Sequence, residues 1–343
     1  LLPGWGLAQN EFITTWETTT ADESITIDIT YYGHDYNVNW GDGSTDTNLT
    51  VDATHTYTTA GIHTVTITGT FPRANFNDKL RSVEQWGDIQ WSHINDMFKG
   101  CDNLAFNASD APDFSNLVYT IASGMFNNAS NISGDLSNWD MSGVTDMSSM
   151  FASSSNITAD ITNWNTGNVT RMNSMFSSAR DFNQDIGNWD VSSVTRMHNM
   201  FLNAWAFNQD ISGWDVSQAE SFSRMFERAF AFNQNLGAWD ISGVVDGARI
   251  DFDDSDMSRE NYDSTLLGWS ALPVLPNDII VEANGLSFCK SSLAREEFKT
   301  NNNWAFTGDA QDCFGSAFVT TWVTDDSEIT IPTTGNGYNY TII

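Results

Sequence analysis

Apolar positions in this chain recur with a long, fixed period. The pair Met-Phe stands at Met97-Phe98, Met125-Phe126, Met150-Phe151, Met175-Phe176, Met200-Phe201 and Met225-Phe226, in steps of 28 and then 25 residues. Trp139, Trp164, Trp189, Trp214 and Trp239 keep the 25-residue step. Seven residues after each Met lie Leu104, Ile132, Ile157, Phe182, Phe207 and Phe232. Eleven after it, from Met125 on, lie Leu136, Ile161, Ile186, Ile211 and Leu236, and Met147, Met172, Met197 and Phe222 precede the following pair. Such self-similarity marks a stacked array in which each position packs on its own copy in the next coil.

Within one coil, Val194, Met197, Met200, Phe201 and Ala204 share one face at helical spacing, with Ser192 or Ser193 placed to cap it. Residues 210–217 are β-branched and broken by Gly213, and predict a brief strand and turn. A short helix and a short strand per coil predict a leucine-rich-repeat-like α/β solenoid. Six or seven coils spaced about 5 Å apart would make a rod of roughly 30–35 Å.

The segments outside the array read differently. Residues 12–71 alternate in stretches such as Ser24–Ile29 and His63–Thr68, which predicts a run of strands in a small β-sandwich. Residues 251–315 break the period and carry two helical pieces, Ser258–Trp269 and Ser292–Asn301, as expected of a solenoid cap. Phe318-Val319-Thr320-Thr321-Trp322 echoes Phe12-Ile13-Thr14-Thr15-Trp16, so a second sandwich is expected to begin at 316 and the chain to be one unit of a longer protein. The apolar start, Leu1 to Gln9, reads as the stub of an export signal or a linker. The expected order is therefore residues 1–10 leader or linker, 11–72 sandwich, 73–250 solenoid, 251–315 cap and 316–343 the start of a second sandwich.

Composition narrows the partners. The 343 residues carry 44 Asp+Glu against 14 Lys+Arg, a formal charge of −30. Phosphate backbones and anionic membrane surfaces need clustered cations, so neither is an expected partner. Hydrophobic residues make up 40%, which excludes a disordered acidic tail. Of three cysteines, Cys289 and Cys313 could pair, and Cys101 is left over. Cys101 shares a column with Ala129, Ser154, Ala179, Ala204 and Ala229, which makes it a small buried residue before it is a reactive thiol.

Two acidic columns invite a chemical reading. Asp135, Asp160, Asp185 and Asp210 form one, closed by Asn235; Asp140, Asp190, Asp215 and Asp240 form the other, with Asn165 in one coil. Acid–base catalysis needs carboxylates in unlike environments. These repeat one environment, so bonds to their own turns are the expected role, with Ca²⁺ along the acidic face as an alternative. Asn183-Gln184, Asn208-Gln209 and Asn233-Gln234 read either as partner contacts or as stacked amides. The Trp column reads as core before sugar platform. The turn at Gly41-Asp42-Gly43 explains Asp42 and Asp46 without a cation. His34, His55, His63, His93 and His198 show no zinc spacing, and no nucleophile elbow or phosphate loop occurs. No catalytic, cofactor-binding or metal-binding residue is assigned.

The unit spanning Met200-Phe201, Phe207-Asn208-Gln209-Asp210-Ile211 and Trp214-Asp215-Val216-Ser217 resembles the repeat of BspA-type leucine-rich-repeat surface proteins of bacteria. The likeness covers residues 86–250 and weakens where Phe114 replaces the Trp. Residues 251–315, with Leu267-Gly268-Trp269, are similar to the usual end of these proteins. Trp40-Gly41-Asp42-Gly43-Ser44 and His55-Thr56-Tyr57 resemble a PKD-like sandwich. The resemblance implies a secreted or cell-surface bacterial protein without enzymatic activity, used in adhesion to extracellular protein or polysaccharide and not inserted in a membrane. Alternatives are a structural spacer, or an accessory module of a secreted polysaccharide-degrading enzyme.

Overall fold

The computed structural model describes residues 10–29, 33–245 and 247–313. The expected leader and the expected second sandwich lie outside those residues. The chain opens with β1 (Phe12–Thr18), β2 (Glu23–Ile27), β3 (Asp35–Asn39), β4 (Thr45–Leu49), β5 (Ala53–Tyr57) and β6 (Gly61–Thr70). In β3, Tyr36 and Val38 are buried while Asp35, Asn37 and Asn39 face out, the period of two expected of a half-covered strand. β2 and β5 form their own two-stranded sheet. β5 and β6 therefore lie in different sheets and form no hairpin with each other. The Trp40–Gly41 turn is fixed from both sides: Tyr57 donates its hydroxyl to the Trp40 carbonyl at 2.8 Å, and Trp40 Nε1 donates to Asp46 at 2.8 Å. A side chain at Gly41, whose φ is +82°, would strike the Thr64 carbonyl at 2.3 Å.

β1 pairs antiparallel with β6 on one side and with β7 (Leu80–Gln85) on the other. β7 then pairs in parallel with β8 (Leu104–Phe106), β8 with β9 (Asn131–Gly134), and β9 with β10 (Asn156–Ile157). One eight-stranded sheet, in the order β10-β9-β8-β7-β1-β6-β3-β4, thus runs from the N-terminal region into the solenoid. The edge of the first coil is covered by β1, so no row of free N–H and C=O groups is left there.

The solenoid winds for about nine turns with little regular structure in each. Neither the helix expected over 194–204 nor the strand expected over 210–217 forms; both stretches are turns and irregular chain, with a single bridge at Arg196. The cause lies beside the Met-Phe pair. Residues one before and three after each Met have positive φ: Ser149 and Ser153, Ser174 and Ser178, Asn199 and Asn203, Arg224 and Arg228. Left-handed residues at that spacing stop a helix from propagating. Alternate N–H groups reach the next coil instead, as in Phe126 N to Met150 O at 2.8 Å, Phe151 N to Met175 O at 2.9 Å and Phe201 N to Met225 O at 3.0 Å. The intervening N–H groups bond three residues back, as in Ala204 N to Phe201 O at 3.0 Å. Each coil is thereby locked to its neighbours through backbone as well as side chains.

The core is a set of stacked columns. Phe98, Phe126, Phe151, Phe176, Phe201 and Phe226 are buried, with successive centroids 5.2–5.9 Å apart. The Trp column is core, as expected. Each indole Nε1 from Trp164 to Trp239 donates to a carbonyl of the coil before it, at 2.9–3.2 Å. The small column is buried throughout, and burial pushes the Cys101 thiol far above its usual value, so it is no nucleophile.

The C-terminal segment continues the coils, although the 25-residue period lapses. β11 (Arg249–Asp251), β12 (Ile280–Glu282) and β14 (Ala305–Thr307) are parallel neighbours, as are β13 (Ser287–Phe288) and β15 (Ala310–Gln311). Helices α1 (Arg259–Ser270) and α2 (Ser292–Asn302) are inserted between them, and they are the two α-helices among the described residues. Phe252 stacks on Phe226 at 6.0 Å, and Trp269 donates to Leu236 O at 3.0 Å, so both core columns run on into this segment. α1 approaches the last regular coil so closely that a Cβ at Gly268 would meet the Gly237 carbonyl at 2.2 Å. Cys289 and Cys313, just beyond β13 and β15, form a disulfide with Cα atoms 5.0 Å apart. Closing 24 residues, it is expected to add about 3–4 kcal/mol. Thermal melts with and without reductant check this, with Cys313→Ser reproducing the reduced value.

One buried carboxyl ties these added turns together. Asp251 of β11 is only 1% exposed and lies in register with Glu282 of β12. Burial, and then a bond to the Glu282 carboxylate, push its pKa up to about 7. The folded state thus holds a proton here that the unfolded chain releases near pH 4. Stability from this proton is present below about pH 4 and is lost as pH rises through about 7. Asp251→Asn keeps an acceptor for Arg224 N and offers an N–H to Glu282. It is expected to match the wild type at pH 4.5 and to exceed it by about 2 kcal/mol at pH 8. Urea unfolding at both values measures the difference.

Candidate functional site

The acidic columns are consumed by the turns that carry them. Asp135 accepts from Ser137 N at 2.8 Å, Asp160 from Thr162 N at 2.9 Å, Asp185 from Gly187 N at 3.1 Å and Asp210 from Ser212 N at 2.9 Å. Asp140, Asp190, Asp215 and Asp240 take the N–H two residues on in the same way at 3.0–3.1 Å. Asn235 and Asn165 replace them with the same bond, at 2.9 and 3.3 Å. A neutral amide serves as well, so the position selects a short side chain with an acceptor oxygen. Bonds from the neighbouring Ser hydroxyl and then its N–H hold Asp135, Asp140, Asp190 and Asp210 below the ordinary carboxylate value. These four move in one direction, and none is raised as a general acid's carboxyl would be.

The amide columns form a ladder. Asn183 Oδ1 accepts from Asn208 N at 2.9 Å and from Gln209 Nε2 at 2.9 Å; Asn208 Oδ1 accepts from Asn233 N at 2.8 Å and from Gln234 Nε2 at 2.7 Å. The C-terminal segment joins it, because Ser258 N and Asn261 Nδ2 both donate to Asn233 Oδ1 at 2.8 Å. Asp42 bonds Ser44 N at 2.9 Å and His55 Nε2 at 2.8 Å, which completes its turn. His63 stacks on Tyr57 at 3.5 Å and meets Thr18 Oγ1 at 2.8 Å. Among the described residues no three His, Cys, Asp or Glu side chains converge as metal ligands. No helix among them is long and apolar enough to cross a membrane.

What the coils leave outside is a stripe that column reading passes over. The position five after the Met of each Met-Phe pair is Asp102, Ser130, Ser155, Arg180, Trp205 and Phe230 in successive coils, and Ser255 stands one 25-residue step further on. Trp205 is 41% and Phe230 49% exposed, with ring centroids 5.8 Å apart. The Arg180 guanidinium lies over the Trp205 ring at 4.3 Å. Backbone bonds hold the stripe, with Ala206 N on Arg180 O at 2.9 Å and Ala231 N on Trp205 O at 3.0 Å. The signal is present in the sequence: two large aromatics occupy a column that is otherwise polar. A cation and two aromatic faces fixed on a rigid ladder form a surface for stacking and apolar contact.

No curated protein and no solved structure matches the chain. A family described as "Mycoplasma protein of unknown function, DUF285" matches at residues 65–166, 92–188 and 150–264. Those overlapping matches follow the Met-Phe coils and together cover more than half of the chain, which therefore belongs to the DUF285 family.

Proposed function

We propose that this protein is a non-catalytic repeat protein of the bacterial cell exterior that binds extracellular protein or polysaccharide along its solenoid. The observation that carries this reading is the exposed stripe Arg180–Trp205–Phe230. The Phe and Trp columns of the coils are drawn into the core; a contiguous exposed pair beside an Arg is the composition of a binding hot spot. The Asp columns support the absence of catalysis, because each serves its own turn. The likeness of the repeat to BspA-type surface proteins, and of the first strands to a PKD-like module, supports the location.

A screen of the whole chain against glycans and matrix proteins, with and without Ca²⁺, tests the reading. A partner is expected whose affinity falls at least about tenfold in Trp205→Ala/Phe230→Ala, with an unchanged melting temperature. Binding to none of them in either condition overturns it. The unbroken sheet from β4 to β10 would then favour a stiff spacer.

A further inference from the structure

A second surface lies on the ladder that precedes the Met-Phe pairs. Ile121, Asp146, Arg171 and Arg196 are parallel bridge partners in successive coils, so their side chains stand side by side on one face. A shallow cleft of about 310 Å³ opens over the first three coils of that ladder. Tyr119 and Val118, 58% and 65% exposed, stand at one side of it. Its floor carries Thr120, Thr145 and Thr170, and Asp146 pairs with Arg171 at 3.4 Å. Tyr119 is set against the His93 ring at 5.3 Å.

The charge arrangement calls for a ligand. Like charges directly opposite on neighbouring strands destabilise a sheet. Arg171 and Arg196 are such neighbours, in a chain whose formal charge is −30. Asp146 pairs with Arg171 alone, and Arg196 makes no ion pair among the described residues. The next ladder position is Ser221, so no alternating pattern of opposite charges absorbs the surplus. An anion seated between the two guanidiniums would remove the repulsion through paired N–H···O bonds.

The rest of the cleft says what carries the anion. Backbone groups of the ladder are already paired between coils: Thr170 N with Thr145 O at 2.8 Å, Thr195 N with Thr170 O at 2.9 Å and Met172 N with Arg196 O at 2.9 Å. An extended acidic peptide would find no strand edge to join. Thr145 and Thr170 donate their hydroxyls to carbonyls of the preceding coil at 3.2 and 3.1 Å; Thr145 Oγ1 also accepts from Thr120 Oγ1 at 2.7 Å, which leaves Thr170 Oγ1 and one lone pair of Thr145 Oγ1 as acceptors. An aromatic face, hydroxyl acceptors and a carboxylate beside two guanidiniums suit a ring that is apolar on one face, hydroxylated at its edge and acidic.

We propose that this cleft, with Arg196 on the coil just beyond it, binds an acidic saccharide, its carboxylate or sulfate held by Arg171 and Arg196 and its ring face set on Tyr119. The proposal rests on the binding role given above and names a ligand class at a different face. Calorimetric titration of the whole chain with oligogalacturonate, with a sulfated oligosaccharide and with a neutral oligomer of similar length tests it. Binding of one or both acidic oligomers and not of the neutral one is expected. Affinity should fall at least about tenfold in Arg171→Gln/Arg196→Gln and several-fold in Tyr119→Ala. The charge-matched control Lys99→Gln/Lys299→Gln should bind as the wild type does. Circular dichroism verifies that each variant folds. Absence of acidic-saccharide binding, equal loss in the control, or an acidic peptide bound through the same arginines overturns the proposal. If the wild type then still binds a partner in the wider screen, the general role stands without this site; if it binds nothing, both fall.

Discussion

Replacing Phe201 by alanine is expected to cost about 3–5 kcal/mol, one of the two largest losses for any single change here. Phe201 is fully buried and is stacked at 5.8 Å on Phe176, at 5.9 Å on Phe226 and at 3.8 Å on Phe207. Collapse normally reduces the cost of such a cavity. Here Phe176 N on Met200 O at 2.9 Å and Phe201 N on Met225 O at 3.0 Å fix the spacing of the coils, so the walls cannot close. Chemical denaturation should show the loss. Hydrogen exchange should place it in the coils around residue 201, since stacked repeats couple mainly to their neighbours. Trp205→Ala, four residues away and exposed, is expected to change stability by less than about 1 kcal/mol.

Asp263→Ala is expected to be as damaging, at about 3–5 kcal/mol, for a different reason. Asp263 lies on α1 and is only 2% exposed. Its carboxylate accepts from Cys289 N at 3.0 Å, Lys290 N at 2.9 Å, Ser291 N at 2.9 Å and Ser291 Oγ at 2.6 Å. Removing it leaves four donors without an acceptor at the start of α2. Burial raises its pKa, but the bonds from Ser291 and from the three N–H groups outweigh it and hold the value below the ordinary one. This stability is present above the ordinary carboxylate value of about 4 and is lost as pH falls below it. The gap between wild type and Asp263→Ala should therefore narrow in strong acid, which thermal melts between pH 2 and 7 would show. Asp263 and Asp251 titrate with opposite sign, so Asp263→Ala should flatten the acid limb of the pH–stability curve and Asp251→Asn the limb that falls toward pH 8.

The candidate surfaces divide by the same physics. Columns that repeat a residue type announced their role: apolar columns are core, and Asp or Asn columns close turns. Trp205, Phe230 and the Arg171–Arg196 pair break their columns, and a residue that departs from the structural requirement of its position is free to serve a partner. Asp263 and Asp251 were not legible as buried groups. Their partners, residues 289–291 and Glu282, stand 26 or more positions away and meet them only after the coils stack.

The local course of each coil departs from the helical expectation for a specific reason. Val194, Met197, Met200, Phe201 and Ala204 have helical spacing, yet Asn199 and Asn203 adopt positive φ and turn the chain in steps. Spacing reports which residues face inward; it does not report whether N–H groups bond within the coil or across to the next. Stacking decided that, because a bond to the neighbouring coil is available only in the assembled array.

The sequence by itself determined that this is a stacked array, which columns fill its core, and that its many acids serve turns. Those follow from period and residue type, which are local and repeated. Tertiary structure alone decided three things: the N-terminal sheet runs on through β7 into the coils, the segment after residue 248 adds further turns beneath two helices, and two interrupted columns become surfaces. Each depends on contacts between distant, non-repeating residues, for which a periodic pattern carries no information.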